Sequence, residues 1–283
     1  MRVSSARSCA LGALFFSGAL VGGGHTISGL TINRPTTDYV GLFGYTGNGS
    51  VIQGVGLNGG SIHGQGYTGS LVGENHGSLE DSSSSASVQG ESDRVGGLVA
   101  VNYGSVLSSS ASGAVSGPYD DNGGLVGANM TGGTIDTSYA TGNVSGFDTK
   151  GGLVGANVGG TILNSYASGS ITPSSNVQVG GLAGYNSGYI GNSYATIPVT
   201  GSERVGGLVG KNDSGGSIGN SYATGVVDGG PGLYTGGLVG LNRGLIGWSY
   251  AIGSVTNSSA SYSYAGGLVG GNEGAIQGSF ATG

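Results

Sequence analysis

A five-residue phrase, Gly-Gly-Leu-Val-Gly or a near variant, recurs through most of this 283-residue chain at intervals of 26 to 30 residues. A related phrase, VGLFG, begins at Val40. The eight phrases begin at Gly69, Gly96, Gly123, Gly151, Gly180, Gly206, Gly236 and Gly266. A period of this length is typical of solenoids and propellers, in which each repeat is one structural unit.

Alignment of the repeats places one residue type in each of four apolar columns. The leucine of the phrase never varies, as at Leu125, Leu153 and Leu208. A column of Leu, Val or Ile follows it, then a column of Ala that runs from Ala86 to Ala281, and then one of Val or Ile. A single repeat has too few apolar residues to bury a face, whereas stacked repeats bury a continuous core.

The segments between these columns have the composition of short strands. They are rich in Val, Ile, Tyr and Thr and are bounded by Gly and Asn, which favours strands and tight turns. We therefore predict an all-β parallel β-solenoid (a β-helix) of about nine to ten coils, with the eight phrase leucines buried in one line. We expect Gly to supply the positive φ angles at the corners between faces.

The direction of two columns stays open at this stage. The aliphatic and Ala columns are five residues apart, so both cannot point inward along one uninterrupted strand. A bend near the Asn-Ser pair would allow it, whereas without a bend Tyr rather than Ala faces the core. An Asn follows every phrase, as at Asn129, Asn157 and Asn212, and we expect its amide to hydrogen-bond along the stack and cap the turn.

Composition excludes several kinds of partner and cofactor. With 8 Lys and Arg, a formal net charge of −6 and a pI near 4.8, the chain has no basic stripe for nucleic acid. Cys9 is the only cysteine, which excludes a disulfide framework. The only histidines are His25, His63 and His76, and no HExxH motif occurs. We expect no metal and no cofactor.

The repeated phrase resembles the GLUG motif, named for its Gly-Leu-(hydrophobic)-Gly core, and the resemblance covers nearly the whole chain. GLUG repeats occur in large bacterial surface and secreted proteins, including adhesin-like proteins and the non-catalytic regions of immunoglobulin-A-cleaving metallopeptidases. Residues 22–44 also resemble the first coil of such arrays. The resemblance implies extracellular or cell-surface display, and it assigns no catalytic residue to the repeats.

The two ends of the chain lead to separate expectations. Arg2 and Arg7 precede an apolar run in residues 9–20, which is typical of a signal peptide and too short to span a bilayer. Alternatively, residues 1–22 contain a degenerate first coil, followed by initial coils in 23–68 and GLUG-type repeats in 69–283. The chain stops at Gly283, before the next strand, so we expect a fragment whose open last coil can associate end to end.

Four acidic residues each lie three residues before the Gly-Gly pair of their repeat: Asp93, Asp120, Asp148 and Glu203. Asp93, Asp120 and Asp148 belong to consecutive coils and would lie roughly 5 Å apart. Paired carboxylates on neighbouring coils are the catalytic groups of β-helical polysaccharide-cleaving enzymes. Val177 and Leu233 interrupt the column, and no cationic or aromatic cluster accompanies it. We interpret these residues as solvated loop charges, with ligand contact as the alternative.

Aromatic residues form a second candidate column: Tyr139, Tyr166, Tyr194, Tyr222, Tyr250 and Phe280. On the surface they would be able to bind a sugar or a partner protein. Stacking between coils that stabilises the rod is the interpretation we favour. Ser85 and Ser110 take this place in earlier coils, so an aromatic surface would cover only the later half.

These patterns predict a non-enzymatic structural or adhesive repeat module of a bacterial surface or secreted protein. A host surface protein or a carbohydrate is the expected partner. Two alternatives stay open: a β-helical carbohydrate-active enzyme that uses the acidic column, and an accessory region of a larger secreted metallopeptidase. An enzyme needs a concave cleft with converging carboxylates, whereas a spacer has flat faces, and the peptidase would show as an HExxH motif further downstream.

Overall fold

The computed structural model describes residues 15–172, 178–230, 233–258 and 263–283. In these residues the chain is built from strands and turns, and strands of successive coils pair in parallel. One sheet has nine strands, which come from nine successive coils. The prediction of an all-β parallel β-solenoid is confirmed, at the lower end of the expected number of coils.

Each coil passes through four faces in turn, of which the first two enclose the main core. The leucine face follows the phrase leucine and has nine strands: Phe43–Thr46, Val72–Asn75, Val99–Asn102, Val126–Met130, Val154–Val158, Ala183–Asn186, Val209–Asn212, Val239–Asn242 and Val269–Asn272. The tyrosine face comes next, and in most coils a bend divides it into two short strands. Its strands are Ala19–Ser28, Val51–Asn58, Ser78–Glu80, Ser83–Ser84, Ser105–Leu107, Ser110–Ala111, Thr134–Asp136, Tyr139–Ala140, Thr161–Leu163, Tyr166–Ala167, Tyr189–Gly191, Tyr194–Ala195, Ser217–Gly219, Tyr222–Ala223, Leu245–Gly247, Tyr250–Ala251, Ala275–Gln277 and Phe280–Ala281.

The other two faces complete the coil. The valine face consists of Thr31–Arg34, Ser61–Gly64, Ser87–Gly90, Val115–Gly117, Asn143–Gly146, Ser170–Ile171, Val199–Thr200, Val227–Asp228 and Val255–Thr256. The loop face leads into the next phrase and consists of Thr68–Gly69, Val95–Gly96, Asn122–Gly123, Thr149–Gly151, Gln178–Gly180, Arg204–Gly206, Tyr234–Gly236 and Tyr264–Gly266.

The main core lies between the leucine and tyrosine faces. The phrase leucines from Leu71 to Leu238 are 0% exposed, as predicted, and Leu268 in the last coil is partly buried. They pack against the Val of their own face and the aliphatic and Ala columns of the tyrosine face. Because apolar burial contributes about 25 cal/mol per Å², this continuous stack is the main source of stability.

A second, smaller core lies between the valine and loop faces. Its first block of apolar residues is Val40, Ile62 and Ala86. Two further blocks follow: Val88, Val95 and Val115, and then Val144, Ile171, Val179, Ile197, Val199, Val205 and Val227. In the loop-face column Asn122 and Lys150 separate the two blocks, and both are fully buried. The Lys150 Nζ donates to the carbonyl oxygens of Gly146 (3.3 Å) and Thr172 (2.7 Å). Burial lowers the pKa of Lys150 to about 8.

A bend in the tyrosine face decides which side chains point inward. Asn164, Asn192 and Asn220 occupy this corner with φ values of 47°, 51° and 49°. This is the left-handed region, which Asn adopts more readily than most residues. The bend turns the Ala column inward and Tyr outward. The expectation that Gly supplies the positive φ was wrong at this corner in most coils; from Val51 onward only Gly54 and Gly278 do so among the described residues.

The glycines of the phrase serve close packing instead. Gly124 and Gly155 both have ordinary negative φ values. A Cβ on Gly124 would collide with the carbonyl oxygen of Gly152 in the next coil, and one on Gly155 would lie 2.7 Å from the Asp121 Cα. The loop and leucine faces therefore approach at backbone distance, which only a residue without a side chain allows.

The predicted Ala column was wrong at its first position. The bend fixes this column five residues after the aliphatic one, and five residues after Leu79 the chain has Ser84 rather than Ala86. For the same reason Ser83, and not Ser85, precedes the tyrosines in their column. The five-residue distance that the corner imposes, and not the identity of the residue, decides which side chain belongs to the column.

The first described coil contains part of residues 1–22, which the sequence analysis interpreted either as a signal peptide or as a degenerate first coil. Strand Ala19–Ser28 pairs with Val51–Asn58, and Phe16 forms a bridge with Thr46. Residues 1–14, on which the signal-peptide interpretation rests, lie outside the described residues, and so does Val177 of the acidic column.

Candidate functional site

A ladder of asparagine side chains runs along the rod beneath the leucine face. The Nδ2 of each Asn donates to the Oδ1 of the Asn in the next coil at 2.7–2.9 Å. Its members are Asn75, Asn102, Asn129, Asn157, Asn186, Asn212, Asn242 and Asn272. The Thr46 hydroxyl donates to Asn75 at 2.7 Å and continues the ladder by one coil. Because the first seven of these Asn are buried, the ladder bonds coil to coil and is closed to a ligand.

A second axial ladder is formed by serines that the sequence analysis missed. At the bend, the backbone N–H of each serine donates to the hydroxyl of the serine in the next coil at 3.1–3.2 Å. Its members are Ser82, Ser109, Ser138, Ser165, Ser193, Ser221, Ser249 and Ser279. The signal was present in the sequence, since a Ser always lies two residues before the Ala-column position.

The tyrosine column forms a continuous stack on the outside of the rod. Rings from Tyr139 to Tyr250 lie 4.9–5.0 Å apart, with interplanar angles of 2–5°, and Phe280 follows Tyr250 at 5.3 Å. Burial, and then the neighbouring phenols, raises the pKa of Tyr166 and Tyr222. Since each ring face covers the next, the stack exposes ring edges and hydroxyl groups.

The structure brings two of the four residues of the acidic column close together. The carboxyl groups of Asp120 and Asp148 lie within hydrogen-bonding distance. Asp93, one coil earlier, is exposed. Glu203 lies further along the rod, where its Oε2 pairs with the Arg204 guanidinium at 2.9 Å. The column is therefore one carboxyl pair with separate charges on either side.

Asp120 and Asp148 lie in an acidic recess that also includes Asp121, which the sequence analysis did not single out. Partial burial, the hydrogen bond and the charge of Asp148 raise the pKa of Asp120 to about 6. Burial also raises the pKa of Asp121 to about 6, although its Oδ2 lies 3.6 Å from the Arg94 Nε. The recess has a volume of about 350 Å³, and the side chain of Gln178 forms part of its wall.

The geometry of this recess differs from that of a glycosidase. Such enzymes hold their two carboxyl groups about 5 to 9.5 Å apart so that a sugar or a water fits between them. Asp120 and Asp148 instead contact each other directly. The pair can share a proton, as two close carboxyls do, which differs from the separated carboxyl groups of a glycosidase.

The histidines do not combine into a metal site. His63 Nε2 lies 2.6 Å from Glu91 Oε1, and His76 Nε2 lies 2.8 Å from Glu74 Oε1. His76 is also stacked between two tyrosine rings. Within the described ranges no group of three or more His, Cys, Asp or Glu is arranged to hold a metal ion.

One coil differs from the others on the tyrosine face. Its outward residues include Leu245, Trp248 and Ile252, which are 44%, 66% and 46% exposed. The preceding coil has Ser217, Asn220 and Thr224 at these positions. The sequence analysis missed this change, although the substitution of WSYA for NSYA indicated it.

Comparisons with known proteins support the repeat assignment. The family model of the GLUG motif matches residues 201–228, which confirms the motif inferred from the sequence. Over 81 residues the chain is 40% identical to halomucin from Haloquadratum walsbyi (strain DSM 16790 / HBSQ001). This segment is 29% of the chain and 1% of halomucin, so the chain spans only a small part of that relative. No solved structure matches the chain. Among the described residues no helix is long and apolar enough to cross a membrane.

Proposed function

We propose that this chain, whose GLUG-motif coils stack as a β-solenoid, is a non-catalytic structural and adhesive module of a cell-surface or secreted protein. The observation that carries the proposal is the asparagine ladder from Asn75 to Asn272, which bonds every coil to the next. A chain whose invariant polar side chains form hydrogen bonds along the rod is suited to be a rigid element. Catalysis would instead require polar groups that converge in a cleft.

The nature of the stack supports a spacer role. In a solenoid each repeat contacts only its neighbours, so stability is approximately the sum of coil and interface terms and grows with the number of coils. Each coil lengthens the rod by about 4.8 Å. The same ladders would continue through any further coils of this type, so length can be adjusted without a new fold.

Two observations support a location outside the cell. The chain is similar to a segment of halomucin, whose name describes a mucin. The GLUG resemblance of the repeats implies the same location. A tightly hydrogen-bonded stack would also resist extracellular proteases, because cleavage requires local unfolding.

Labelling of intact cells tests the proposed location. An antibody raised against the chain should label intact cells that carry the gene, or detect the protein in their medium, and added protease should remove the cell-bound signal. A cytoplasmic protein labelled in parallel is the control for cell integrity. Labelling that requires permeabilised cells would contradict the proposal.

The non-catalytic part of the proposal has its own test. The full chain should release no reducing ends from starch, xylan, pectin or β-glucans, because Asp120 and Asp148 are too close for glycoside hydrolysis. The double variant Asp120→Asn, Asp148→Asn should match the unmodified chain in this assay. Turnover that disappears in the double variant would establish the acidic recess as a catalytic site.

A further inference from the structure

Trp248 is the only tryptophan of the chain, and it occupies a corner at which folding does not require it. The three preceding coils have Asn164, Asn192 and Asn220 at this position, with nearly the same left-handed backbone as Trp248 (φ 51°). Asn adopts this conformation readily, whereas a bulky residue is a genuine outlier there. The strain and the 66% exposure of Trp248 therefore point to a role other than stability.

The next coil is adapted to the indole. Its corner residue is Gly278, and a Cβ there would lie 2.5 Å from Cε3 and 2.7 Å from Cζ3 of Trp248. The benzo ring thus rests against the backbone of Gly278, where an Asn like that of the earlier coils would displace it. The indole of Trp248 therefore packs against Gly278 of the next coil and stays accessible to solvent.

The surroundings of Trp248 are apolar or neutral throughout. Leu245 and Ile252 lie on the same coil and together with Trp248 form an apolar stripe across the tyrosine face. Amides of Asn220 and Gln277 belong to the neighbouring coils. No Asp, Glu, Lys, Arg or His occurs in the segments that build this face in the last five coils, residues 161–168, 189–196, 217–224, 245–252 and 275–282.

We propose that the Leu245–Trp248–Ile252 stripe binds a neutral glycan, with one pyranose ring stacked on Trp248. This inference deepens the proposed function, because it names the class of partner that the module contacts. The C–H face of a pyranose is apolar and packs on an aromatic ring, while its hydroxyl groups bond to amides and phenols such as those of Asn220, Gln277 and Tyr250.

The distribution of charge favours a neutral glycan over a charged partner. The chain has a net charge of −6, yet no acidic group lies on this face in its last five coils. An acidic polysaccharide or a basic protein would find no ion-pair partner there, whereas a neutral polysaccharide needs none. The rows of hydroxyl and amide groups repeat at the coil spacing of about 4.8 Å, which suits a linear ligand with regularly spaced hydroxyls.

The experiment uses the full chain and a panel of neutral polysaccharides: laminarin, hydroxyethylcellulose, dextran, galactomannan and glycol chitin. Affinity electrophoresis should show retardation by at least one of them. Because Trp248 is the only tryptophan, its fluorescence should shift to the blue and saturate in a titration with the same polysaccharide.

A coil-swap variant supplies the matched control. Leu245→Ser, Trp248→Asn, Ile252→Thr copies the preceding coil, so it should fold, and its melting temperature verifies this. We expect the swap to weaken binding at least about tenfold, since Trp and its neighbours would form the centre of the contact. Leu233→Ser removes an equally exposed leucine (41%) from another face and should leave binding unchanged.

The possible outcomes separate this inference from its alternatives. No retardation by any member of the panel, or equal retardation of the swap variant, would overturn it. Self-association in the ultracentrifuge that the swap abolishes would assign the stripe to a second copy of the chain, and would also overturn it. A chain found only inside cells would refute the proposed function, while glycan binding by the purified protein would stand.

Discussion

The Nδ2 of Asn129 donates a 2.9 Å hydrogen bond to the Oδ1 of Asn157, although the two residues are 28 positions apart in the chain. Asn157 repeats the same bond with Asn186 in the next coil at 2.8 Å. Each amide is thus both donor and acceptor in one continuous row. This relationship fixes the register between coils, because a shift by one residue would break the bonds on both sides.

The ladder predicts a defined cost for removing one member. Asn157→Leu keeps the side-chain volume but removes both inter-coil bonds of Asn157, so we expect a loss of about 2–3 kcal/mol in the free energy of unfolding. Urea denaturation followed by circular dichroism measures it. Asn33→Leu changes an exposed Asn of the first valine-face strand and should cost less than about 0.5 kcal/mol. Equal stability of the two variants would show that the ladder is not stabilising.

The phrase glycines predict a steric effect that depends on position. Gly155→Ala would force a Cβ against the backbone of Asp121, so we expect a loss of about 3 kcal/mol. Gly247→Ala is the matched control, because a Cβ there would meet nothing within 4 Å. Its melting temperature should be unchanged or slightly raised. Tolerance of Ala at both positions would contradict the close packing of the leucine and loop faces.

Much of this architecture could be predicted from the sequence because one set of physical demands recurs in every coil. Leu153 and its equivalents must be buried, and only a stack of coils buries them all. The sequence left the bend undecided because residues of different types adopt the left-handed backbone at this corner. Asn164 and Trp248 both adopt it, and only the backbone reveals that they are equivalent.

The remaining features depend on contacts between coils that the sequence does not display. The burial of Lys150 follows from its register with Val179 and Val205 in the loop-face column, where a charged residue is not expected. The contact between Asp120 and Asp148 likewise depends on the paths of two loops. Periodicity predicts which residues share a column, but it does not predict where a column is interrupted.

The acidic recess predicts an unusual dependence of stability on pH. The pKa of Asp120 is raised to about 6 in the folded chain, above the ordinary value of 3.8. The favourable contribution of protonated Asp120 to the free energy of unfolding is therefore complete below about pH 4 and is lost as the pH rises through 6. Asp120→Asn should raise the melting temperature at pH 8 and leave it unchanged at pH 4. An Asn variant that is less stable at pH 8 would show that the ionised carboxylate is stabilising.

Distances between spin labels test the stacked-coil arrangement most directly. Cysteines replace Ser112 and either Thr224 or Thr282, which lie four and six coils further along one column, after the single native cysteine has been changed to Ser. With about 4.8 Å per coil, backbone separations should be about 19 Å and 29 Å, in a ratio of two to three. Double electron–electron resonance that gives narrow distributions in this ratio is the predicted result. Broad distributions, or separations that do not increase with coil number, would contradict the solenoid.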